Sequence, residues 1–427
     1  MILANLSQPL LGLVDTAVLG HLGDTQLLAG AAVGAFLLSQ IIWLLGFLRM
    51  SITGLAAQQF GSRCAKLVTA QSTGWFDDLG RGLISALILG IGLYLLSGPL
   101  LQLMMQLTQL PNLAQDSMQT YFSIRIANAP VMLFNLVLIG WLVGHQRARQ
   151  VMWIQILGNI LNIVLNLILV FAFDLAVAGL AYATVLSEWA MCLASLWVVY
   201  HYVFAHTSRG VLLSQGWCKI AAFYRMLSLN RDLFLRSVFL QGCLAFVTYQ
   251  GARYGVESAA VNALLMQFFV IIALGLDGIA NAIEALVGEA EGQQDTVQQR
   301  QNILASLLWS SIMAVGFSVT FALGFDQILG LLTNQTSLIE LAQPYYWIIV
   351  ALPLLAHWCY CFDGIYIGLT RAKVMRNSMF ISAVVGFLGV FWLFQDWQNM
   401  GLWLALLALQ TMRGVTLGIH LWVTTTD

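Results

Sequence analysis

IGWLVGHQRARQ (residues 139–150) recurs later in the chain as DGIYIGLTRAKV (residues 363–374). The two glycines of each stretch and the Arg-Ala pair after them coincide at an offset of 224 residues. Two further blocks match in the same order, namely VLGHLGDTQLLAGAAV (18–33) with GARYGVESAAVNALLM (251–266) and AGLAYATV (178–185) with MGLWLALL (400–407). Glycine is common in membrane helices, but three ordered matches indicate an internal repeat.

Composition places the chain in the membrane. It has 60% hydrophobic and only 9% charged residues, and its net charge of −1 gives no sign of a nucleic-acid partner. A helix needs about 20 apolar residues to cross ~30 Å of hydrocarbon in a lipid bilayer. Twelve such spans can be placed: 1–22, 28–57, 79–106, 118–144, 150–173, 176–204, 229–253, 259–287, 302–332, 341–369, 376–396 and 398–423.

The repeat divides these spans into two halves of six. We predict an all-α membrane protein of two pseudo-symmetric six-helix bundles, an N-terminal lobe (1–205) and a C-terminal lobe (229–427), joined by a cytoplasmic linker (206–228). An even number of spans makes both halves enter from the same side, so the repeat is parallel and the substrate is expected between the halves. Two fused halves also predict that a monomer is sufficient.

The basic residues predict the orientation. Thirteen lysines and arginines fall on one side of the predicted spans, and Arg253 alone falls on the other. By the positive-inside rule the first side is cytoplasmic, which places both termini of this multi-pass protein in the cytoplasm.

The absence of several sequence motifs narrows the possible functional class of the protein. The chain has no phosphate-binding G-x-x-x-x-G-K-[ST] loop, no HExxH and no GxSxG. Its cysteines show no metal-binding or disulfide pattern, so no metal and no other cofactor is expected. A secondary transporter driven by an ion gradient is the leading interpretation. A membrane-embedded enzyme with a nucleophile and base brought together by the fold stays open.

One carboxylate lies within the first apolar span, Asp15 in LSQPLLGLVDTAVLG. A charge there costs about 2.5–3.5 kcal/mol on insertion scales, so it is a candidate for an ion or substrate pathway. Polar side chains in nearby spans are candidate partners: Asn135, Asn162, Asn166 and Thr184. The alternative is that the amides only join helices through hydrogen bonds.

A single carboxylate among neutral amides and a hydroxyl suits a proton better than sodium as the coupling ion. Burial among neutral groups raises the proton affinity of a lone carboxylate such as Asp15. Its protonation would rearrange the surrounding hydrogen bonds, and Pro9, Gly12 and Gly20 would allow the first helix to bend. Asn and Thr oxygens can also bind sodium, so that ion stays open.

The second half carries acids of its own. Asp277, Asn281 and Glu284 follow at i, i+4 and i+7 on one face of the eighth span, and Asp363 lies in the tenth. They are candidates for binding a cationic substrate, for a second protonation site, or for a structural role.

Three further ionisable residues are weaker candidates for a functional role. Asp232 and Arg236 lie four residues apart in the seventh span, where we expect them to pair with each other. Glu188 in the sixth span is a weaker candidate for the transport pathway.

Three stretches resemble one transporter family: LVDTAVLGHLG (13–23), GNILNIVLN (158–166) and DGIYIGLTRAKVMRNSM (363–379). They are similar to the multidrug and toxic compound extrusion (MATE) transporters, and most to the DNA-damage-inducible protein F branch. The resemblance implies a V-shaped pair of lobes in the bacterial inner membrane and antiport of drugs against protons or sodium. It also implies a central coupling role for Asp15, with Asn135, Asn162, Asn166 and Thr184 as its partners.

Two departures from the family favour protons. Asn166 stands where related members have an aspartate, and no glutamate lies between Asn230 and Arg253, where some sodium-coupled relatives have one. We therefore expect an exporter of organic, mostly cationic drugs in exchange for protons. A sodium-coupled antiporter and a lipid-precursor flippase are the alternatives. The scarcity of arginine and lysine within the spans disfavours the flippase, which would need a basic cavity.

Overall fold

A computed structural model describes residues 14, 18, 25–65, 77–108, 110–206 and 220–426. Almost all of them are helical. The helices that precede residue 207 are α1 (Thr25–Leu44), α2 (Phe47–Cys64), α3 (Asp77–Leu95), α4 (Ser97–Thr108), α5 (Asn112–Ala127), α6 (Ala129–Gly144), α7 (Ala148–Leu167), which ends in a π-helical segment (Ile168–Ala172), and α8 (Ala176–His206).

The remaining helices follow residue 219. They are α9 (Ile220–Arg253), α10 (Val256–Gln293), α11 (Thr296–Leu332), α12 (Thr336–Ala342), a 3₁₀ turn (Gln343–Tyr345), α13 (Tyr346–Gly368), α14 (Ala372–Ile381), a π-helical segment (Ser382–Gly389), α15 (Val390–Leu393), a 3₁₀ turn (Gln395–Trp397) and α16 (Asn399–Thr426).

The helices form two compact units, with the boundary between Met226 and Leu227. Helix α9 begins at Ile220, inside the predicted linker (206–228) rather than after it. The reason is local, because no proline or glycine interrupts the sequence from Ile220 until Gly242.

The predicted spans are present wherever the structure describes them. Ten helical stretches in the described ranges are long and apolar enough to cross a membrane, and the bent pair α5–α6 makes an eleventh. They coincide with the second to twelfth predicted spans. The first predicted span (1–22) lies outside the described residues, except for Val14 and Val18.

The fourth span is sharply bent. Helices α5 and α6 meet at Asn128 with an angle of 53° between them. Pro130 lies in the first turn of α6, where it cannot donate a backbone hydrogen bond to the preceding turn. The bend therefore has a local cause in the sequence, although the hydropathy of the span gave no sign of it.

The internal repeat is visible in the helix packing of each unit. A Cβ on Gly140 of α6 would lie 2.6 Å from the carbonyl oxygen of Arg49 on α2. In the second unit, a Cβ on Gly364 of α13 would lie 2.7 Å from the carbonyl oxygen of Ala280 on α10. The second glycine of each motif makes the same close approach one turn later. Glycine is needed at these positions because the two backbones touch.

Aromatic side chains fill the core of the second unit. The rings of Phe268 on α10 and Phe321 on α11 meet edge to face, with centroids 5.0 Å apart. Phe387 and Trp403 are fully buried in the same cluster. The Trp403 indole donates at 2.7 Å to Asn262 Oδ1, so the large ring is buried without leaving its N–H unpaired.

Candidate functional site

Four of the five predicted coupling residues lie in the described part of the first unit. Asn135 is on α6, Asn162 and Asn166 are on α7, and Thr184 is on α8. The predicted central residue, Asp15, lies outside the described residues.

The two asparagines of α7 form a buried chain of hydrogen bonds that leads to α8. Asn166 Nδ2 donates to Asn162 Oδ1 at 2.9 Å, and Asn162 Nδ2 donates to Ser187 Oγ at 3.3 Å. Both asparagines are buried. Their four-residue spacing places them on one face of α7, and that face packs against α8.

Thr184 contributes through its backbone. Its hydroxyl donates to the carbonyl of Leu180 at 3.0 Å, within its own helix. The carbonyl of Thr184 accepts the hydroxyl of Ser187 at 2.9 Å, and this orients Ser187 toward Asn162. Thr184 thus belongs to the same cluster through its backbone carbonyl, while its hydroxyl forms a hydrogen bond within α8.

Asn135 reaches the same turn of α8 from the other side. Its Nδ2 donates to the backbone carbonyl of Glu188 at 2.9 Å. This bond fixes the orientation of the amide, because the opposite orientation would set two acceptors against each other. The Oδ1 atom of Asn135 is then a buried acceptor, and it has no donor among the described residues. Such an atom could accept a bond from a protonated carboxyl, a water or a cation.

An ion pair that the sequence analysis missed adjoins this cluster. Arg125 in the last turn of α5 donates to Glu188 Oε2 at 2.7 Å, and Asn128 donates to the same oxygen at 2.6 Å. The signal was present, since Arg125 is an arginine inside a predicted span. A charge in that position is costly without a partner.

In the second unit, Asp363 is held by two arginines. Its Oδ2 accepts from Arg236 of α9 and, at 2.6 Å, from Arg413 of α16. Arg413 also donates to Gln410 Oε1, which accepts the Cys359 thiol at 3.3 Å. The carboxylate is buried, and its charge is compensated by guanidinium groups of the protein itself.

The predicted pair of Asp232 with Arg236 was wrong. Asp232 Oδ1 instead accepts from Arg231 at 3.2 Å and from Arg376 at 2.7 Å. Arg236 instead donates to the buried carboxylate of Asp363, and the Asp232 carboxylate is already compensated by two other arginines.

The three polar residues on one face of α10 differ in their exposure to solvent. Asn281 and Glu284 are buried, and the carbonyl of Glu284 lies against Gly368 of α13. Asp277, one turn earlier, is exposed. Within the described ranges, no group of three or more His, Cys, Asp or Glu side chains could hold a metal ion.

The chain matches the family model MatE over residues 1–168 and 233–392, which includes most of both units and all the site residues on α6 and α7. The chain belongs to the MatE family.

Individual members cover nearly its whole length. DNA damage-inducible protein F of Escherichia coli K12 is 40% identical over 425 residues, covering 98% of this chain and 89% of that protein. The probable multidrug resistance protein NorM of Rhodopseudomonas palustris is 26% identical over 404 residues, covering 92% and 81%. A solved structure described as MATE in the bent conformation superposes with a TM-score of 0.82 at 18% identity, covering 97% and 91% of the two chains.

Membership in the MatE family establishes the general character of this protein. It is a multi-pass membrane protein and a member of the MATE multidrug efflux transporter family. Members of this family are transporters rather than enzymes. The MATE-type helical fold follows from the sequence match and from the superposition together.

Proposed function

We propose that this MatE transporter exports organic, mostly cationic drugs in exchange for protons, and that Asp15 is the residue that binds the proton. The observation that carries the proposal is the buried amide cluster of the first unit, in which Asn135 Oδ1 accepts no hydrogen bond from any residue that the structure describes. The family resemblance makes Asn135 a partner of Asp15.

The hydrogen-bonding capacity of the cluster favours a proton. A protonated carboxyl has an O–H group to donate, and Asn135 Oδ1 is an acceptor that lacks a donor among the described residues. An ionised carboxylate can only accept, so the same atom would repel it. If Asp15 faces Asn135, as the family resemblance implies, its protonation would replace repulsion with a hydrogen bond, and this change would favour a second conformation of the first predicted span (1–22).

Sodium coupling through the second unit is disfavoured by the geometry of Asp363. Two guanidinium groups already occupy its carboxylate, and both side chains are buried beside it. A cation would have to displace an arginine and leave that charge buried and unpaired, at a cost of several kcal/mol. Asp363, predicted as a candidate for binding substrate or ions, is thus better suited to anchoring α9 and α16 to α13.

The charge of one residue on α10 supports a cationic substrate. Asp277 is an exposed carboxylate on a membrane-spanning helix, and such a group belongs in a water-filled pathway rather than in lipid. It is our candidate for attracting cationic drugs, with the buried Asn281 and Glu284 behind it. The relative from R. palustris is named as a probable multidrug resistance protein, which agrees with a drug substrate.

A lipid-precursor flippase is the second candidate, and the arginines count against it. A basic cavity for a polyanionic headgroup would need guanidinium groups without acidic partners. Arg125 pairs with Glu188, and Arg236 and Arg413 both pair with Asp363. Each of these buried guanidinium groups therefore has a carboxylate partner among the described residues, although two of them share Asp363.

The cellular setting is part of the proposal. The E. coli relative supports a bacterial inner membrane, and the basic residues of the loops favour cytoplasmic termini. Two six-helix lobes (1–205 and 229–427) on one chain, joined by the linker 206–228, are expected to work as a monomer.

The test is proton-driven drug exchange by Asp15→Asn in proteoliposomes. We expect exchange to fall to the level of empty liposomes, while expression and thermal stability in detergent stay at the wild-type level. The matched control is Asp396→Asn, an exposed aspartate in a short 3₁₀ turn, which should exchange normally. Full exchange by Asp15→Asn would refute the proposal.

A further inference from the structure

One residue of α8, Glu188, contacts both arms of the bent fourth span. Its carboxylate accepts from Arg125 at 2.7 Å, before the bend, and from Asn128 at 2.6 Å, at the bend itself. Its backbone carbonyl accepts from Asn135 at 2.9 Å, beyond the bend. The turn of α8 at Glu188 therefore cannot move relative to α5 or α6 without breaking one of these bonds.

The same turn of α8 holds the amides of α7. Ser187, the neighbour of Glu188, accepts from Asn162 and donates to the carbonyl of Thr184. Asn135 and Asn162 are thus oriented from opposite sides by two consecutive residues. A change in the bonding of Glu188 would alter the geometry of both amides at once.

The pair also places two opposite charges beside this cluster. The side chains of Arg125 and Glu188 are only 9% and 14% exposed, so water screens their charges weakly. Tyr121 of α5 interacts electrostatically with Arg125, and Cys192 lies one turn after Glu188 along α8. Helices α1 and α6 contain no ionisable side chain, and α7 has only Arg149, in its first turn.

We propose that Glu188 and Arg125 are positioning residues of the first-unit coupling site, and that their opposite charges set the pH at which Asp15 takes up its proton. The inference rests on the proposed function, because it requires that Asp15 be protonated during transport and that its partner be Asn135, as the family resemblance implies. Neither residue has to bind the drug or exchange a proton itself.

The two charges predict opposite effects when each is removed. Glu188→Gln leaves the positive charge of Arg125 uncompensated, which favours an ionised Asp15, so the pH midpoint of drug exchange should fall by on the order of one unit. Arg125→Gln leaves a negative charge, and the midpoint should rise by a similar amount. The double variant Arg125→Gln/Glu188→Gln has no net change of charge, and its midpoint should return to the wild-type value.

The experiment measures drug exchange against pH in proteoliposomes for these variants. The control is Asp232→Asn/Arg376→Gln, a buried acid and its arginine in the second unit, which should leave the midpoint unchanged. Shifts in the same direction for both single variants, or no shift in either, would overturn the proposal. If the wild type shows no proton-driven exchange, the proposed function itself has failed instead.

A second variant covers the case in which the single neutral variants do not fold. Glu188→Asp keeps the charge but withdraws the carboxylate by one methylene from Arg125 and Asn128. We expect an unchanged pH midpoint with a several-fold lower maximal rate, because the charge remains while the amides lose their alignment. A wild-type maximal rate in this variant would contradict a positioning role.

Discussion

Asn166 stands where the resemblance to MATE transporters implies a second carboxylate in the first lobe of some members. Its amide donates to Asn162 at 2.9 Å in a fully buried setting. Asn166→Asp would place a second negative charge close to the proposed site of Asp15. Two neighbouring carboxylates bind a monovalent cation better than one carboxylate does, because their negative charges repel each other when no cation is bound.

We therefore predict that Asn166→Asp gains sodium-stimulated drug exchange. The measurement is exchange in proteoliposomes at constant pH as the sodium gradient is increased. Asn159→Asp is the matched control, because Asn159 lies on the same helix but is only partly buried. A flat sodium response in Asn166→Asp, equal to that of the control, would show that the amide does not determine the ion.

A second prediction at the scale of single residues concerns Asp363. Asp363→Asn would leave Arg236 and Arg413 buried beside a neutral group, and breaking a buried ion pair in this way costs about 3–5 kcal/mol. We expect a clear loss of thermal stability in detergent, with partial recovery in Asp363→Asn/Arg236→Gln. A stable Asp363→Asn protein that has lost only transport would instead assign Asp363 to the transport pathway.

At the scale of helices, the close packing at the repeated glycines can be tested by substitution. A Cβ on Gly140 would meet the backbone of α2 at 2.6 Å, whereas a Cβ on Gly92 of α3 would meet nothing within 4 Å. We predict that Gly140→Ala destabilises the protein by about 1–3 kcal/mol, because the helices must separate. Gly92→Ala should be neutral or slightly stabilising. Equal unfolding midpoints for the two variants would contradict the close approach.

His145 lies just beyond the end of α6, where three helices meet. Its ring stacks on Trp141 with centroids 3.8 Å apart, its Nδ1 lies 2.9 Å from the Trp141 carbonyl, and Tyr202 of α8 meets it edge to face. Burial lowers the pKa of His145 to about 4. The backbone bond to Trp141 opposes this shift, and the charges of Arg63 and Arg147 add to it.

This histidine should make stability depend on pH. Its pKa is lower in the folded protein than in the unfolded chain, so its contribution is present above pH 6.5 and is lost as the pH falls toward 4. The expected loss is about 2 kcal/mol between pH 7.5 and pH 5. His145→Gln should remove that part of the slope in denaturation measured in detergent. Identical slopes for the variant and the wild type would rule out His145 as the cause.

For the molecule as a whole, the sequence predicted the number and placement of the described spans and the repeat. Hydropathy and glycine spacing are strong signals because the membrane and close helix packing demand them. The bend at Asn128 and the start of α9 at Ile220 were missed, because they depend on local helix chemistry that a hydropathy average removes.

The candidate site was predicted less completely. Spacing placed Asn162 and Asn166 on one helix face, and their hydrogen bond confirms it. The partners of Glu188 and Asp363 could not be deduced, since Arg125 is 63 residues from Glu188 and Arg236 is 127 residues from Asp363. One sequence contains no information on which distant helices pack together, so only the folded structure shows that these charges are paired.

The most direct test of proton coupling at the scale of the whole transporter is efflux of a fluorescent cationic drug from proteoliposomes. Efflux is measured first under an imposed proton gradient and then under a sodium gradient at constant pH. We predict efflux with the proton gradient alone, lost in Asp15→Asn and retained in Asp396→Asn. Efflux driven by sodium alone would contradict the account, because the amide cluster or the acids of the second unit would then have to bind a metal cation.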